Sequence, residues 1–461
     1  MFNEVNINYI SSDNLKTCYI TEATLQQIKL SRNLDYITLS VASITIKLNI
    51  KIIDETFAND PSISFSNDLE QVIHIPDGTL LQINKINERH IELGPLIGIF
   101  VNQIKVQELI SGTNISEYVQ FDRACKKLSG FCYFFSRDNI DWENNLVLGI
   151  FRTNDSWGTS ILPLAKVIYN RNVEGNCVYE SLELKSRLPM DFIMLNNTPK
   201  LSKWDTMQLL KSNPELASAV PETVLYTSYL DVEKFLGKYA SAYLKPNLLS
   251  KGRGVFKISN LSANNFKVSY RTKDLNHVVV IDDLKKLDIL LNKYSTDGGG
   301  YIIQREIKKA FFRESPFDFR LLYQKDYKGN WKPGGIASRI AANGSIITSP
   351  RSGGSVEDFS LVLKEVFYED SATKGGLYEK VINIGREICL SIEAEFGTCV
   401  ELGIDMTIDV RHKIWIIEVN GKPLRVSLER LNKPEVILRC NSQPIEYCVY
   451  LSGFKSKSIC C

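Results

Sequence analysis

The sequence predicts a multidomain protein of the α/β class (α+β multidomain). At 461 residues the chain is longer than one hydrophobic core usually supports, so two to four packed units are expected. Residues 1–93 alternate short β-type runs with turns, whereas the region that follows carries continuous apolar runs and helical stretches. The first pattern predicts a β-rich N-terminal domain, and the second predicts sheets covered by helices.

The composition excludes several classes of protein. Hydrophobic residues make up 44% of the chain and charged residues 23%, which is the balance of a globular protein and not of a disordered one. With 55 basic and 53 acidic residues, no overall field is available to attract nucleic acid or anionic lipid. No apolar stretch approaches the ~20 residues that span a bilayer. We therefore expect a cytoplasmic protein that binds neither nucleic acid nor membrane.

The ten cysteines are scattered without a C-x-x-C pair, and there are only four histidines, so a zinc site is not expected. Most of the cysteines are interpreted as small buried apolar residues. The terminal pair, Cys460 and Cys461, is interpreted as a frayed tail, with lipidation or redox chemistry as the alternative.

Individual elements follow from these patterns. Period-2 runs at 36–41, 44–48 and 80–83 predict strands of the N-terminal domain. The apolar run at 95–101, a helix around 115–128 and further strand-like runs predict an α/β unit over residues 94–198. In the remainder we expect helices at 203–211 and 377–396, an antiparallel strand pair at 243–246 and 254–258, and strands at 301–304, 317–323, 404–409 and 414–420.

Three oxygen-bearing side chains are predicted to meet near the C-terminus. Asp405 lies on one strand of a predicted hairpin, and Glu418 and Asn420 lie two positions apart on the next strand, so their side chains share a sheet face. Carboxylate and amide oxygens suit Mg²⁺, which fills its other positions with water and phosphate oxygens. The alternative is a set of solvated strand residues, although the apolar neighbours of Glu418 and Asn420 argue against it.

A second candidate region is basic. Lys245 ends an apolar strand before Pro246, and the loop after it contains Lys251, Gly252 and Gly254. Glycines allow backbone N–H groups to approach phosphate oxygens, and a lysine supplies a point charge. Lysines at strand edges and glycines in turns are common, so this signal alone is weak. Neither a Walker A pattern nor a G-x-G-x-x-G pattern occurs, which argues against P-loop and Rossmann nucleotide binding.

Two arginines lie on β-like runs, Arg320 in an Asp318-Phe-Arg320 segment and Arg339 in an Ala337-Ser-Arg339 segment. A guanidinium offers a planar fork of donors that suits phosphate or carboxylate. A salt bridge on the sheet is the alternative for each arginine.

Taken in order, these residues resemble the ATP-grasp superfamily over residues 199–425. More closely, the chain resembles the YheC/YheD-type proteins, which are endospore coat-associated ATP-grasp proteins of spore-forming bacteria. The segments that carry this closer resemblance, between Gly94 and Pro423, are YNR at 169–171, KW at 203–204, PET at 221–223, LKP at 244–246, DFR at 318–320, TSPRSGG at 348–354, ELGID at 401–405 and WIIEVNGKP at 415–423.

The resemblance implies a domain plan and a nucleotide site. Residues 94–198 would form a pre-ATP-grasp domain and residues 199–461 an ATP-grasp domain, with a first lobe at 222–300 and a second lobe, carrying the magnesium site, at 301–430. Lys203 and Lys245 would contact the phosphates of ATP, and the loop of Lys251, Gly252 and Gly254 would fold over them. The adenine hinge would consist of Gln304, Arg305, Glu306 and Ile307, and Mg²⁺ would be held by Asp405, Glu418 and Asn420. Many superfamily members have Glu where Gln304 stands.

The resemblance also implies a reaction. ATP-grasp ligases activate a carboxylate as an acyl phosphate, join it to an amine and release ADP and phosphate; Arg320 and Arg339 are the candidates for stabilising that chemistry. An ATP-dependent kinase and a non-catalytic spore-coat-associated structural protein are the alternatives. The substrates are expected to be a carboxylate and an amine, such as an amino acid and a peptide. Asn170 and Arg171 are candidates for lining the acceptor pocket, and a salt bridge is the alternative for Arg171.

The N-terminal β-rich domain has no assigned role. Formation of a homodimer and docking of a peptide are both open for it. The expected location is the cytoplasm, with association to the spore coat implied by the resemblance.

Overall fold

The computed structural model describes residues 3–53, 62–113, 116–153, 156–173, 177–197, 201–248, 253–262, 265–272, 275–294, 299–342, 345, 348, 350, 353–370 and 372–459. The chain forms two compact units. Unit 1 contains Met1–Asn197, Lys325–Asn330 and Leu438–Cys461, and unit 2 contains Thr198–Gln324 and Trp331–Ile437. Within the described ranges, none of the helices is both long enough and apolar enough to cross a membrane.

The N-terminal part of unit 1 is a closed β-barrel, which confirms the predicted β-rich character of this region. Its strands pair in the order β1-β5-β2-β4-β3-β7-β6, and β6 returns to β1. Closure leaves no strand edge exposed. The elements are β1 Glu4–Ile10, β2 Thr17–Thr21, α1 Glu22–Ile28, β3 Tyr36–Val41, β4 Ile44–Ile53, β5 Ser62–Ser66, α2 Glu70–Ile73, β6 Leu80–Asn87 and β7 His90–Gly94.

The second part of unit 1 is a mixed sheet with the order β10-β11-β9-β8-β13-β14, in which β8 pairs in parallel with β9 and β13. Its elements are β8 Leu96–Phe100, α3 Gln103–Ile110, α4 Ser116–Lys126, β9 Phe131–Phe135, β10 Ile140–Asp141, β11 Leu146–Thr153, β12 Ser156–Pro163, β13 Val167–Asn170, α5 Cys177–Arg187 and β14 Ile193–Leu195. The predicted helix at 115–128 is α4. Helix α3 was not predicted, because Ile104 and Ile110 are exposed and blur its apolar face.

The barrel and the mixed sheet of unit 1 share one hydrophobic core. The C-terminal tail packs in the same unit: the Gln82 carboxamide donates to the carbonyls of Leu128 (2.7 Å) and Lys455 (2.9 Å) and accepts from the Lys455 N–H (3.1 Å). The sequence predicts that these C-terminal residues belong to the third domain, whereas the structure groups Leu438–Cys461 with unit 1, where the tail bonds to the Gln82 side chain of β6. The division into three domains stays a prediction.

Unit 2 begins with an antiparallel sheet in the order β15-β20-β16-β17-β18-β19. The predicted strand pair is confirmed as β16 and β17, with Leu244 opposite Phe256. Strand β20, expected to open the second lobe, lies inside this first sheet between β15 and β16. The elements are α6 Lys203–Ser212, β15 Thr223–Tyr226, α7 Tyr229–Lys238, β16 Ser241–Pro246, β17 Phe256–Ser262, β18 Asn265–Thr272, β19 Leu275–Ile281, α8 Lys286–Tyr294 and β20 Tyr301–Arg305.

The second sheet of unit 2 has the order β24-β23-β22-β25-β26, with β21 attached to β22. The predicted helix at 377–396 is confirmed as α10. The elements are β21 Phe311–Phe312, β22 Ser315–Lys325, β23 Trp331–Ile340, β24 Ser355–Asp358, α9 Phe359–Phe367, α10 Leu377–Phe396, β25 Glu401–Ile408, β26 Ile414–Asn420, α11 Val426–Glu429 and finally α12 Pro434–Leu451, of which the part from Leu438 belongs to unit 1.

The two faces of this second sheet differ in chemistry, because side chains alternate along each strand. Phe319 and Leu321 of β22 and Ile404 of β25 belong to a hydrophobic core that also includes residues of α9 and α10. The intervening residues, Asp318, Arg320 and Asp405, therefore point to the opposite face. The sheet thus has one face in the core and one face lined with charges.

The close packing of α10 on the sheet yields a stability prediction. A β carbon on Gly385 would lie 2.5 Å from Cδ2 of Leu321 and 2.8 Å from Cε2 of Tyr323, so Gly385→Ala should lower the free energy of unfolding by about 1–3 kcal/mol. The matched control is Gly237→Ala in α7, where no atom lies within 4 Å of the added methyl, and which should be neutral or stabilising by up to about 1 kcal/mol. Urea unfolding of the full chain measures both, and equal midpoints for the two variants would contradict this packing.

Candidate functional site

The hairpin of β25 and β26 places the three predicted oxygen ligands on one face. Asp405 stands directly opposite Glu418, and Gly403 stands opposite Asn420. The turn between the strands is held by Asp409, whose Oδ1 accepts from the backbone N–H groups of Arg411 (2.8 Å) and Lys413 (3.0 Å). The hairpin register therefore brings together three residues that are up to fifteen positions apart in sequence (420 − 405).

Asp405 is buried and is neutralised by two arginines. Arg320 grips it with two bonds, Nε to Oδ1 at 2.7 Å and Nη2 to Oδ2 at 2.8 Å, and Arg339 Nη2 lies 3.0 Å from Oδ2. Burial alone would raise the pKa of the Asp405 carboxyl, but the two guanidinium groups outweigh it and hold this pKa below its ordinary value. Asp405 is therefore ionised at neutral pH.

A second buried carboxylate, Asp318, extends this arrangement. It accepts from Arg339 Nε at 2.7 Å, from Lys309 Nζ at 3.3 Å and from the hydroxyl of Thr348. Burial opposes ionisation of Asp318, yet Arg339 and Lys309 lower its pKa strongly. Arg339 thus bridges two carboxylates, Asp318 on its own neighbouring strand and Asp405 beyond it.

Lys245 lies at the meeting point of the two sheets. Its Nζ donates to Oε1 of Gln304 at 2.5 Å, and the Gln304 amide donates in turn to Thr223 Oγ1 at 3.1 Å. Burial lowers the pKa of Lys245 to about 8, with Glu418 opposing that change and Lys203 and Lys309 adding to it. The structure therefore brings three lysines and the carboxylate of Glu418 into one electrostatic neighbourhood.

Lys203 is the first residue of α6, directly after the N-cap residue Ser202. Gly254 adopts a left-handed backbone (φ +67°), and a β carbon there would lie 2.9 Å from Cγ of Pro246, so glycine is required at the end of this loop. Lys251 and Gly252 lie outside the described residues.

The predicted adenine hinge is only partly brought to this cluster. Arg305 lies over the rings of Tyr239 (5.1 Å) and Trp415 (5.4 Å). Glu306 pairs with Lys257 at 2.5 Å and contacts the Ser241 hydroxyl. Ile307 contributes its carbonyl to the N–H of Lys309 at 2.9 Å. Among these four residues Gln304 alone has its side chain on Lys245, so any adenine contact from the other three would come from the backbone.

For Arg320 and Arg339 the geometry shows the salt bridges that stood as their alternative. A role toward an anion stays a prediction. It is chemically compatible with these contacts, since a guanidinium has five N–H donors and a bidentate carboxylate uses only two of them.

Sequence reasoning missed two members of the cluster. Lys309 follows the hinge in a Lys308-Lys309 pair, and such a cationic pair next to a predicted nucleotide hinge was the available signal. Asp318 was noted as part of a motif without a role. Its signal was a carboxylate between Phe317 and Phe319, which an apolar strand would not tolerate without a buried partner.

Asn170 and Arg171 lie in unit 1, at the carboxyl end of strand β13, whereas the cluster described above lies in unit 2. Asn170 donates to Ser181 Oγ at 2.9 Å, and Arg171 Nη2 lies 2.7 Å from Glu117 Oε1. Both side chains are buried. The salt-bridge alternative is thus the geometry that Arg171 shows, and a substrate role stays a prediction.

The donor set at the hairpin fits a magnesium ion. The candidate ligands are two carboxylates, Asp405 and Glu418, and one amide, Asn420. In the described part of the chain, no group of three His, Cys, Asp or Glu side chains could hold a metal ion. Among the described residues, the Glu418 side chain has no hydrogen-bond or ion-pair partner. The buried Nδ2 atom of Asn420 also has no hydrogen-bond partner. A half-turn of this amide group would exchange the positions of Nδ2 and Oδ1. Such hard oxygen donors suit Mg²⁺ that takes its remaining ligands from phosphate and water.

The segment after Asn420 is fixed by a buried ion pair. Arg425 Nη2 lies 2.9 Å from Glu401 Oε2, which also accepts from Gln324 Nε2 at 3.2 Å. Glu401 and Arg425 are 0% and 3% exposed. In addition, a β carbon on Gly403 would lie 2.6 Å from Cβ of Pro423, so the chain folds back closely on β25.

Removing one partner of this pair should be costly. Arg425→Met removes the guanidinium from the buried carboxylate of Glu401 and should lower the free energy of unfolding by about 3–5 kcal/mol. The control is Lys433→Met, which breaks the half-exposed pair with Asp358 (2.6 Å) and should cost less than about 1 kcal/mol. Chemical denaturation of the full chain compares them, and a loss for Arg425→Met no larger than that for Lys433→Met would be incompatible with a buried pair.

Two antiparallel sheets, with Lys245 on one and an Asp-Glu-Asn hairpin on the other, are the arrangement expected of an ATP-grasp protein. The particular family is settled by comparison with known proteins: a family model described as YheC/D like ATP-grasp matches residues 192–451. Because this match covers more than half of the chain, the protein belongs to the YheC/D-like ATP-grasp family.

Two relatives have been found in Bacillus subtilis (strain 168). Endospore coat-associated protein YheD is 27% identical over 378 residues, which is 80% of this chain and 81% of the relative. Endospore coat-associated protein YheC is 22% identical over 311 residues, 66% of this chain and 83% of the relative.

Among solved structures, D-alanyl-alanine synthetase A from Vibrio cholerae O1 biovar eltor str. N16961 is similar with a TM-score of 0.45 and 10% identity, over 76% of this chain and 98% of that one. D-cycloserine synthetase DcsG is similar with a TM-score of 0.45 and 11% identity, over 77% and 100%. The assignment to the ATP-grasp fold rests on the family match.

Proposed function

We propose that this protein is an ATP-dependent carboxylate–amine ligase that forms an amide or peptide bond through an acyl-phosphate intermediate and releases ADP and phosphate. The observation that carries the proposal is the convergence of Lys203, Lys245 and Lys309 on the side of the Asp405–Glu418 hairpin. Three cations beside two carboxylates and an amide match a triphosphate with its divalent metal. Membership of the ATP-grasp family supports the same conclusion.

The lysines would neutralise the phosphate chain of ATP. Lys245 is held by Gln304, so its ammonium group is oriented before the nucleotide arrives, and Lys309 is held by Asp318. Fixed charges of this kind stabilise an anion without reorganisation during the reaction. The loop of Lys251, Gly252 and Gly254 is proposed to cover the phosphates, and residues 304–307 to hold adenine through the backbone.

Asp405, Glu418 and Asn420 are the residues that would hold Mg²⁺. When bound there, the ion would offset the charge on the phosphoryl group in transfer. Arg320 and Arg339 keep Asp405 ionised and correctly turned, and their further N–H donors are proposed to contact the transferring phosphoryl group and the tetrahedral intermediate.

In the proposed reaction the substrate carboxylate attacks the γ-phosphate of ATP, and the bond between the β- and γ-phosphates breaks to release ADP. The amine then attacks the acyl carbon, and orthophosphate leaves. No covalent nucleophile of the protein is required, so alignment and charge neutralisation are the tasks of the site. An amino acid and a peptide are suitable substrates, with Asn170 and Arg171 as candidates on unit 1.

The names of the two relatives favour association with the spore coat, and the cytoplasm is the proposed place of the reaction.

An ADP-release screen over pooled carboxylates and amines tests the reaction class. ADP, orthophosphate and a new amide are expected. A phosphorylated product without orthophosphate would instead identify a kinase, and no ATP turnover in any pool would favour a structural role.

Glu418 provides the sharpest test of the metal assignment. Glu418→Gln keeps the shape of the side chain but removes its charge, so ATP turnover should fall by at least about a hundredfold while the fold remains intact. Glu395→Gln on the exposed side of α10 changes net charge equally and should leave turnover unchanged. ADP release and circular dichroism are measured for both, and near-normal turnover by Glu418→Gln would remove the assignment.

The pKa of Lys245 predicts a pH dependence. Because this pKa is lowered to about 8, the ammonium group is charged below that pH and becomes neutral above it. Affinity for ATP should therefore fall above pH ~8, approaching tenfold per pH unit. Lys245→Arg keeps its charge throughout this range, so its affinity should stay nearly flat. Titration calorimetry between about pH 7 and 9.5 tests this, and the same decline in both proteins would rule out Lys245 as the titrating group.

A further inference from the structure

Helix α6 has an unusual N-terminus, because the backbone N–H groups of its first three residues are shared between two acceptor residues. Such groups have no partner inside a helix and must be satisfied from outside. Ser202 serves one of them: its Oγ accepts from Asp205 N–H at 3.0 Å, while its carbonyl accepts the first bond of the helix itself, from Thr206 N–H at 3.1 Å. Asn247 serves the other two.

Asn247 uses both of its oxygens on this helix. Its backbone carbonyl accepts from the N–H of Lys203 at 3.0 Å, and its side-chain Oδ1 accepts from the N–H of Trp204 at 2.9 Å. The N–H groups of Lys203, Trp204 and Asp205 are thereby all consumed within the protein. The end of α6 is consequently not an anion site, and an incoming phosphate would have to be met by the side chain of Lys203.

Asn247 is also firmly attached to the strand that carries Lys245. It follows Lys245 by two positions, with Pro246 fixing the backbone between them, and its own N–H donates to the carbonyl of Gly300 at 2.9 Å, which continues the pairing of β16 with β20. One residue therefore ties the first turn of α6 to the end of β16.

This tie opposes an electrostatic repulsion. Lys203 and Lys245 carry like charges, and the charge of Lys203 adds to the lowering of the pKa of Lys245, while the first turn of a helix frays easily. Without an anchor, α6 would relieve the repulsion by moving Lys203 away. Because Asn247 holds α6 in place, the ammonium groups of Lys203 and Lys245 stay close together. The free-energy cost of their repulsion is therefore incurred during folding and not during binding.

We propose that Asn247 is a positioning residue, which holds Lys203 beside Lys245 and so prepares a two-lysine cradle for the phosphates of ATP. The inference rests on the proposed ATP site. It assigns to Asn247 no contact with the nucleotide; its effect on affinity passes through Lys203.

The test compares Asn247→Ala with Ser202→Ala. Both variants remove a side-chain acceptor from the same helix end, but Asn247→Ala alone removes a bond between α6 and the end of β16, the one to the Trp204 N–H; the bond from the Lys203 N–H to the carbonyl of residue 247 remains. We expect Asn247→Ala to weaken the binding of Mg-ATP by about tenfold in titration calorimetry, and Ser202→Ala to lower stability with affinity changed less than about threefold. Equal weakening by the two variants would mean that Asn247 is an ordinary helix cap and would overturn the proposal.

A double-mutant cycle supplies the readout that a purely structural role would not give. In a Lys203→Ala background, Asn247→Ala should weaken Mg-ATP binding by less than about twofold, since the side chain through which it acts is gone. The same tenfold loss in that background would overturn the proposal. If Asn247→Ala does not fold, Asn247→Ser takes its place, because the shorter hydroxyl cannot reach the Trp204 N–H, and it must show the same pattern.

Failure of the proposed function is recognised separately. The wild-type chain is titrated first, and absence of Mg-ATP binding there would refute the ATP site itself. Binding by the wild type together with unchanged binding by Asn247→Ala would leave the ATP site in place and refute the positioning role alone.

Discussion

The burial of Asp405 between Arg320 and Arg339 is the interaction on which the rest of the site depends. A carboxylate can be buried inside a sheet only when its charge is paired and its oxygens accept hydrogen bonds. Here Arg320 comes from β22, which is next to β25, and Arg339 comes from β23, one strand further away, so the pairing requires the order β23-β22-β25. The same bonds orient Asp405 toward Glu418, which makes the ion pair a precondition for a metal site and not an addition to it.

Alternation along the strands separates this chemistry from the core. Asp318, Arg320 and Asp405 are each flanked by apolar residues of the core that includes α9 and α10, so the helices fix one face of the sheet while the other face carries the charges. Lys245 lies at the end of β16 in the first sheet, held by Gln304 of β20, and Lys203 is the first residue of α6. The proposed triphosphate site therefore combines these lysines with the carboxylates of the second sheet.

The sequence allowed the prediction of those features that depend on short-range pattern. The hairpin of Asp405 and Glu418 follows from period-2 alternation around a turn, and α10 follows from a long periodic run between glycines. Features set by distant strands escaped prediction. The local signals of Lys309 and Asp318, a lysine pair and a carboxylate between two phenylalanines, do not identify the distant residues with which they pair. The directions of the Arg305 and Glu306 side chains depend on the alternation along the strand, which inverts when the register shifts by one residue. For Arg171, burial decides between substrate contact and salt bridge, and burial is a property of the folded unit.

In the proposed site Asp405, Glu418 and Asn420 would hold a divalent ion next to the phosphates of ATP, beside Lys203 and Lys245. Anomalous diffraction of crystals grown with Mn²⁺ and a non-hydrolysable ATP analogue tests this site most directly. A metal peak is expected about 2.0–2.3 Å from oxygens of these three side chains, with the triphosphate against the two lysines. A metal peak elsewhere, or a nucleotide bound away from Lys245, would contradict it.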